Sequence, residues 1–412
     1  MKIVYYHRVA ELDNDYNKLA VYPQIFEQHI IFYKEKYNVI SLDDLQNVKD
    51  KEKESLIITF DDGYEDMYEN LLPIVEKHQI PVTIYVTTGC IDICKEMWHD
   101  DIIRYILTGN IYPDVFVLRH KLYGCKFVTS GLEERIKLYK SIRFIFQRIT
   151  EKERENICEQ LSEWSGIFKL RRENRRILSN IQIKKMSQSP YITIGAHTVT
   201  HPSLAKYSEA EQRDEIAKSK EKLEQIIGNK VVHFSYPFGS KVDYNKTTIE
   251  LLKEYDFKSS VTTIPQSISS NQYTFELPRY YIGNWSIGRL MKQLNEENTD
   301  EQTGENAVKF IGDFLSDTKL FKEKTPIIIF GTGKKATSLY QLMKKYGLSS
   351  RVAAYADNDK EKQNTYISNI KIICPNEIAR FRDANIVIGS TFDKEIISQL
   401  HEMKINNIHV II

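Results

Sequence analysis

The segment Leu56-Ile57-Ile58-Thr59-Phe60-Asp61-Asp62-Gly63 constrains the fold more than any other stretch of the chain. An apolar run of β-branched and aromatic residues closed by Asp-Gly predicts a buried strand followed by a turn. Tyr64 to His78 then has helical spacing, Pro81 follows, and Val82 to Val86 predicts a second strand. Strand, helix and strand within about thirty residues form a right-handed βαβ unit whose strands are parallel. Asp61 and Asp62 then stand at the C-terminal edge of a parallel sheet, although Asp-Asp-Gly alone is also an ordinary turn sequence.

A second apolar strand, Tyr191 to Gly195, runs into Ala196-His197-Thr198-Val199-Thr200-His201-Pro202. Two histidines four apart can hold one metal ion on a helix face or on a loop that folds back. Pro202 disfavours helical geometry at His201, which places the pair on a loop. Together with Asp-Asp at another strand tip, the pair makes a candidate Asp-His-His site.

Thr59-Phe60-Asp61-Asp62-Gly63, then His197 to His201, then Phe234-Ser235-Tyr236-Pro237-Phe238-Gly239 resemble, in that order, the successive motifs of the polysaccharide deacetylase family, the NodB-like carbohydrate esterases of family 4. The N-terminal strand Lys2 to His7 resembles the permuted subgroup that deacetylates poly-N-acetylglucosamine, in which the catalytic-acid histidine comes first. The resemblance covers roughly residues 1 to 290 and implies a distorted, often seven-stranded (β/α) barrel. It implies that Asp62, His197 and His201 hold a divalent metal, most simply Zn2+. Asp61 would be the general base, His7 the acid, and the Phe238 N–H an oxyanion donor. Ser235 and Phe238 depart from the pattern, since many members have arginine and tyrosine there. Arg279, in Leu277-Pro278-Arg279-Tyr280, is the candidate partner for Asp61 in place of that arginine; an ordinary surface salt bridge is the other reading. Independently of the resemblance, His7, Asp61, Asp62, His197, His201 and Phe238 each follow an expected strand, the pattern of an α/β barrel whose function sits at its C-terminal face.

The rest of the barrel segment, residues 1–294, alternates helices and strands. Helices are expected over Pro23–Tyr37, Asp43–Val48 and Thr247–Tyr255, and strands over Val39–Leu42, Val231–Tyr236, Ser259–Thr263 and Leu277–Ile282. Ser208 and Glu211 form a capping box for a helix that runs to Ile227 and stops at Gly228. Residues 95–190 break the rhythm as a charged, helical insertion, with helices at Trp98–Leu107, Leu132–Phe146 and Lys152–Trp164. It either shapes access to the site or covers a flank. The run Arg171 to Arg176 reads as a solvated face, with contact to an anionic substrate as the alternative.

Residues 295–324 read as a linker, and 325–412 as a small α/β domain. There an apolar strand runs into Gly331-Thr332-Gly333-Lys334-Lys335-Ala336, and a second strand ends at Asp357. This fits a nucleotide-binding βαβ unit in which Gly331, Gly333 and Asp357 meet the ligand. The domain resembles the small Rossmann-like sensor domains of sugar-nucleotide and surface-polysaccharide enzymes. It is too short for a dehydrogenase's catalytic half, and either binds a nucleotide-sugar or packs as an inert accessory.

The 412 residues carry a net charge of +1, which gives no reason to expect nucleic acid or a membrane surface as partner. No apolar run approaches the roughly eighteen to twenty residues of a membrane span, and the chain enters a strand at Lys2, so a cytoplasmic protein is expected. The five cysteines, Cys90, Cys94, Cys125, Cys158 and Cys374, are scattered and odd in number, as free thiols in a reducing compartment would be. The expected function is metal-dependent removal of an N-acetyl group from a sugar in cell-surface polysaccharide or glycan-precursor synthesis. The substrate would be an acetylated sugar, nucleotide-linked or lipid-linked. An O-acetyl esterase or deformylase, or a non-catalytic module binding carbohydrate or nucleotide-sugar, are the rival readings.

Overall fold

Strand β5 (Ser55–Phe60) is buried at all six positions, and the first sheet is built outward from it. The computed structural model describes residues 1–45, 53–93, 95–168, 172–268, 274–295, 325–345, 347–381, 383–390, 393–405 and 408–410. Cys94, Arg171, the end of the expected Asp43–Val48 helix and positions 296–324 of the expected linker lie outside these. The chain divides into two compact units, Met1–Glu297 and Asn298–Ile412.

In the first unit, β1 (Lys2–Tyr6) pairs in parallel with β5 from Lys2↔Leu56 to Tyr6↔Phe60. This register carries His7 and Asp61 past the same edge. Two-residue strands β2 (Arg8–Val9) and β3 (Ala20–Val21) and helix α1 (Pro23–Lys36) follow, and β4 (Asn38–Val39) also joins β5. The expected helix from Tyr64 begins instead with a π-helical turn, Met67–Leu71, before α2 (Leu72–His78). Strand β6 (Val82–Val86) completes the βαβ unit, parallel to β5 as anticipated.

The insertion contributes α3 (Trp98–Leu107), β7 (Val115–Leu118), β8 (Cys125–Val128), α4 (Leu132–Phe146) and α5 (Glu151–Ser165). Its three helices match the expectation; the β7–β8 antiparallel hairpin is unexpected, since each strand is only four residues long, too short to show a period. Helix α6 (Asn180–Met186) then returns the chain to β9 (Ile192–Ala196). Helix α7 (Glu209–Ile227) has the full capping box at Ser208 and a left-handed Gly228 at its end. β10 (His233–Ser235), α8 (Lys246–Glu254), β11 (Ser259–Val261), β12 (Tyr280–Tyr281) and α9 (Ile287–Asn295) complete the unit.

The sheet order is β11-β10-β9-β6-β5-β1-β12, with β4 beside β5. Every pair is parallel. It curls until one isolated parallel bridge, Val261 with Leu277, joins the two edge segments. Apolar side chains from the strands and from α1, α2, α6, α7 and α8 form a core that includes Phe26, Ile58, Phe60, Ile84, Ile216 and Leu251.

The second unit has a six-stranded sheet. In chain order its strands are β13 (Ile327–Phe330), β14 (Val352–Ala356), β15 (Tyr366–Ile367), β16 (Ile370–Ile373), β17 (Asn385–Ile388) and β18 (Ile408–Val410). The spatial order is β15-β16-β14-β13-β17-β18, parallel except for the β15–β16 pair. Helix α10 (Lys334–Lys345) follows β13, and α11 (Asp393–Glu402) follows β17.

Candidate active site

The turn after β5 is tight enough to need an unusual backbone. Asp62 has φ +74° and Gly63 φ +83°, and a Cβ on Gly63 would sit 2.9 Å from Val86 Cγ1. Left-handed geometry at a non-glycine residue costs free energy and is kept only where its surroundings impose it. Here it turns Asp61 and Asp62 to different partners.

Asp61 is 3% exposed and Arg279 0%. Arg279 donates from Nη1 to Asp61 Oδ1 at 2.8 Å and from Nη2 to Oδ2 at 2.7 Å. Its other donors reach Thr262 O, Thr59 Oγ1 and Ser235 Oγ, and its guanidinium lies over the Tyr5 ring at 4.4 Å. The residue that replaces the expected arginine, Ser235, thus accepts from an arginine supplied by the segment that enters β12. Burial, the largest single influence, would raise the Asp61 carboxyl, but the charge and hydrogen bonds of Arg279 together with the charges of His197 and His7 outweigh it and hold the group down to about 2. A surface salt bridge is excluded for Arg279, since no surface is involved.

Asp62 meets the two histidines. His197 Nε2 and His201 Nε2 lie 3.6 and 3.5 Å from Asp62 Oδ1, and the three ligand atoms lie within 4.8 Å of one another. Ligands about 2.0–2.2 Å from a tetrahedral ion are about 3.4 Å apart, so one carboxylate oxygen and two imidazole nitrogens fit a divalent cation in kind and spacing. Burial, then the Asp61 charge, pushes the Asp62 carboxyl well up. Burial pushes both imidazoles down. A cation at this point would offset the unfavourable burial of charge on Asp62.

The loop that carries the histidines is pinned from several sides. Thr198 and His201 both have positive φ, so His201, before proline, is non-helical as expected. His197 directs Nδ1 to Ser235 O at 2.8 Å. The backbone N–H groups of Val199 and Thr200 each donate to Glu215 Oε2 at 2.8 Å, and Thr200 Oγ1 to Glu215 Oε1 at 2.6 Å. Glu215, on α7, was not anticipated. Its signal was in the sequence: an acid spaced with Gln212, Ile216, Ser219 and Leu223 on the buried helix face.

The insertion reaches the site as well. Arg154 of α5 donates to Thr200 O at 2.8 Å. Trp98 Nε1 of α3 donates to His201 O at 3.2 Å, and the Trp98 ring lies 6.2 Å from that of Phe238. His99 stands edge-on to His201 with ring centroids 5.8 Å apart. Burial, opposed by the Asp100 charge, brings the His99 imidazole down to about 4. Of the two readings of the insertion, its first helix follows the one at the site, and neither Trp98 nor His99 was singled out beforehand. The expected solvated arginine face is contradicted at Arg172 and Arg175, while Glu173 and Asn174 between them are exposed. Arg175 is 5% exposed and pairs with Asp100 at 3.2 Å, while Arg172 holds the buried Glu96 at 2.6 Å. Acids on or just before α3 demand these partners, and that pairing is invisible in a one-dimensional charge run.

His7 follows β1, partly exposed, against the rings of Tyr5 and Tyr281. Its buried Nδ1 has no hydrogen-bond partner among the described residues. Burial is the largest influence on it; the Asp61 charge opposes and Arg279 reinforces, and the group falls to about 4. Phe238 has φ +62° and its ring packs on His201 at 4.8 Å. Thr263 Oγ1 donates to the Phe238 carbonyl at 2.6 Å, which helps fix the turn at Phe238.

In the second unit Gly331, with φ +105°, donates its N–H to Ala356 O at 2.7 Å. A Cβ there would meet Gly389 O at 3.1 Å, whereas one on Gly333 would meet nothing within 4 Å. Asp357 stands at the end of β14 as expected, and its carboxylate accepts from Thr332 Oγ1 and from the Asp359 N–H.

Residues 48–108 and 159–260 match the family model described as Polysaccharide deacetylase, and 323–411 match one described as C2185-like, N-terminal. His7 and Arg279 fall outside the first match. The chain is 23% identical over 288 residues to YxkH of Bacillus subtilis (strain 168), a protein that bears a polysaccharide deacetylase name; this spans 68% of this chain and 71% of that one. Similar solved structures include the Streptococcus pyogenes deacetylase PplD in complex with acetate, at 20% identity, 72% and 98% coverage and a TM-score of 0.47. IcaB from Ammonifex degensii gives 16% identity, 72% and 97% coverage and a TM-score of 0.47. No helix among the described residues is long and apolar enough to cross a membrane.

Proposed function

We propose, from the polysaccharide deacetylase domain that this chain carries, that it is a metal-dependent hydrolase removing an N-acetyl group from a sugar in cell-surface polysaccharide or glycan-precursor synthesis. The observation that carries the reading is the buried Asp62-His197-His201 cluster next to an Asp61 locked by Arg279. The three ligands suit Zn2+. A bound divalent cation would polarise the acyl carbonyl and lower the pKa of water towards about 7.

Each side chain then has a task. Asp61 stays ionised through the neutral range and takes the proton of the attacking water. Arg279 keeps its carboxylate aimed and unable to rotate. The Phe238 N–H faces the developing oxyanion, a contact worth about 3 kcal/mol in other acyl-transfer sites. His7 donates a proton to the departing nitrogen, a step that an amide needs far more than an ester does. Trp98 and Phe238 line the site with apolar surface beside His201, which suits a small acyl group such as acetyl.

The Rossmann-like reading of the second unit draws on its strand order and on the left-handed Gly331 at the head of α10. The ligand proposed there is a nucleotide-sugar, with Gly331, Gly333 and Asp357 in contact. Asp357 would have to release Thr332 to reach a ribose. Calorimetric titration of the full chain with nucleotide-sugars tests this, and absence of heat at millimolar ligand favours an accessory role.

The deciding experiment for the hydrolase is mass spectrometry of products from a panel of N-acetylated and O-acetylated oligosaccharides and nucleotide-sugars, with and without Zn2+. Release of acetate from the amide panel only in the presence of metal supports the reading. Turnover of esters alone favours an O-acetyl esterase. No turnover of any member by the metal-loaded protein favours a binding module.

A further inference from the structure

His201 is 7% exposed, and its Nδ1 is buried with no hydrogen-bond partner among the described residues. Its Nε2 is the atom that faces Asp62, at 3.5 Å. An imidazole that ligates through Nε2 carries its proton on Nδ1 and ordinarily donates it to a fixed acceptor. His197 has such an acceptor in Ser235 O. His201 lacks one, and a buried donor left unpaired is costly.

Four rings surround it. Phe238 has no acceptor, and His197 already uses Nδ1 on Ser235 and turns Nε2 to Asp62. Trp98 offers only an N–H, spent on His201 O. The fourth is His99, with centroids 5.8 Å apart and planes at 72°; an approach of the two rings by about half an ångström would let a nitrogen of each reach the hydrogen-bond distance of about 3 Å.

What His99 presents is set by its other side. Tyr64 Oη lies 2.7 Å from His99 Nε2 and donates to Asp100 Oδ2 at 2.6 Å. Asp100 is held as an acceptor by Arg175 at 3.2 Å. The Tyr64 proton therefore belongs to Asp100, and the Tyr64 oxygen accepts from the Nε2–H of His99. In the neutral ring Nδ1 is left with a lone pair.

We propose that His99 is a positioning residue for His201, its Nδ1 accepting the Nδ1–H of His201 when Nε2 of that ligand is engaged. The sequence Asp100, Tyr64, His99, His201 is then an outer relay through which the insertion orients one ligand of the barrel's metal site. It rests on the metal reading given above.

The test is Zn2+ affinity of the full chain, by competition with a chromophoric chelator. His99→Phe keeps a ring but no acceptor, and is expected to weaken binding by about ten- to a hundredfold. His99→Gln, whose amide oxygen can accept, should recover part of that loss. Tyr64→Phe, which frees the tautomer while keeping His99, should fall between wild type and His99→Phe. Thermal unfolding of the metal-free proteins separates a lost contact from a lost fold. Wild-type affinity in His99→Phe, or equal losses in the Phe and Gln variants, overturns the proposal. If His99→Phe does not fold, unchanged affinity in Tyr64→Phe overturns it. A wild-type chain that binds no Zn2+ removes the metal reading itself, whereas normal wild-type binding with unaffected variants removes this proposal alone.

Discussion

Arg279 reaches Asp61 across 218 positions of sequence and closes on both of its oxygens in a site that excludes solvent from the pair. Such a pair is more informative about its removal than about its worth, because deleting one partner strands the other charge. Arg279→Met is expected to destabilise the fold by about 3–5 kcal/mol, read by chemical denaturation. Adding Asp61→Asn should return part of that loss. A double variant no more stable than Arg279→Met would assign the cost to the bonds with Thr262 and Ser235 instead. The Asp61 carboxyl, at about 2, lies below the unfolded value of about 3.9. Its stabilisation is therefore complete above about pH 5 and is lost as pH falls towards 2.

The ligand set makes a second prediction. His197→Ala and His201→Ala should each abolish stoichiometric Zn2+, since two remaining ligands leave the ion mostly to water. Elemental analysis of purified protein decides it, and one equivalent of metal retained in either variant would show the assignment to be wrong.

The parts of this site that were legible in sequence are those in which chemistry and local structure coincide. Asp61 and Asp62, His197 and His201, and Phe238 lie on the turns and loops that follow three strands identified by their apolar runs, and those turns are written as Gly63, Pro202 and Gly239. Arg279 could be nominated because it also lies at a strand, although nothing local specified that it would be buried. Trp98, His99, Arg154 and Glu215 escaped for a common reason. Each sits inside a helix whose periodicity explains it adequately, and its contact with the histidine loop exists only after the insertion and α7 have packed. The arginine run misled because exposure was inferred from charge, while its partners Glu96 and Asp100 lie more than seventy residues earlier.

Glu215 supplies a third prediction, as the acceptor for two backbone N–H groups and a hydroxyl of the histidine loop. Hydrogen bonds to a charged acceptor contribute about 1.5–3 kcal/mol each. Glu215→Ala should lower the unfolding temperature and weaken Zn2+ binding together, because the freed loop carries His201. Glu215→Gln retains one acceptor oxygen and should lie between. A Glu215→Ala protein that lost stability yet bound metal with wild-type affinity would show that the loop holds its shape without the clamp.

The acid role of His7 makes the last prediction, and it can be read as a ratio. His7→Ala should keep metal and fold but lose on the order of a hundredfold on an N-acetyl sugar, because a nitrogen leaving group must be protonated. A phenolic ester leaves without that proton and should lose much less. Asp61→Asn should damage both substrates, since both need an activated water. In the wild type, His7 is protonated only below about pH 4, so above that value its acid form falls about tenfold with each pH unit, as for any single titrating site. Activation of water affects amide and ester alike and cancels when one rate is divided by the other. The amide-to-ester ratio should therefore fall as pH rises from 5 to 8, and in His7→Ala it should be low and flat. A wild-type ratio independent of pH, or equal losses on both substrates in the variant, would remove His7 from the acid role and leave it as a wall of the substrate site beside Tyr5 and Tyr281.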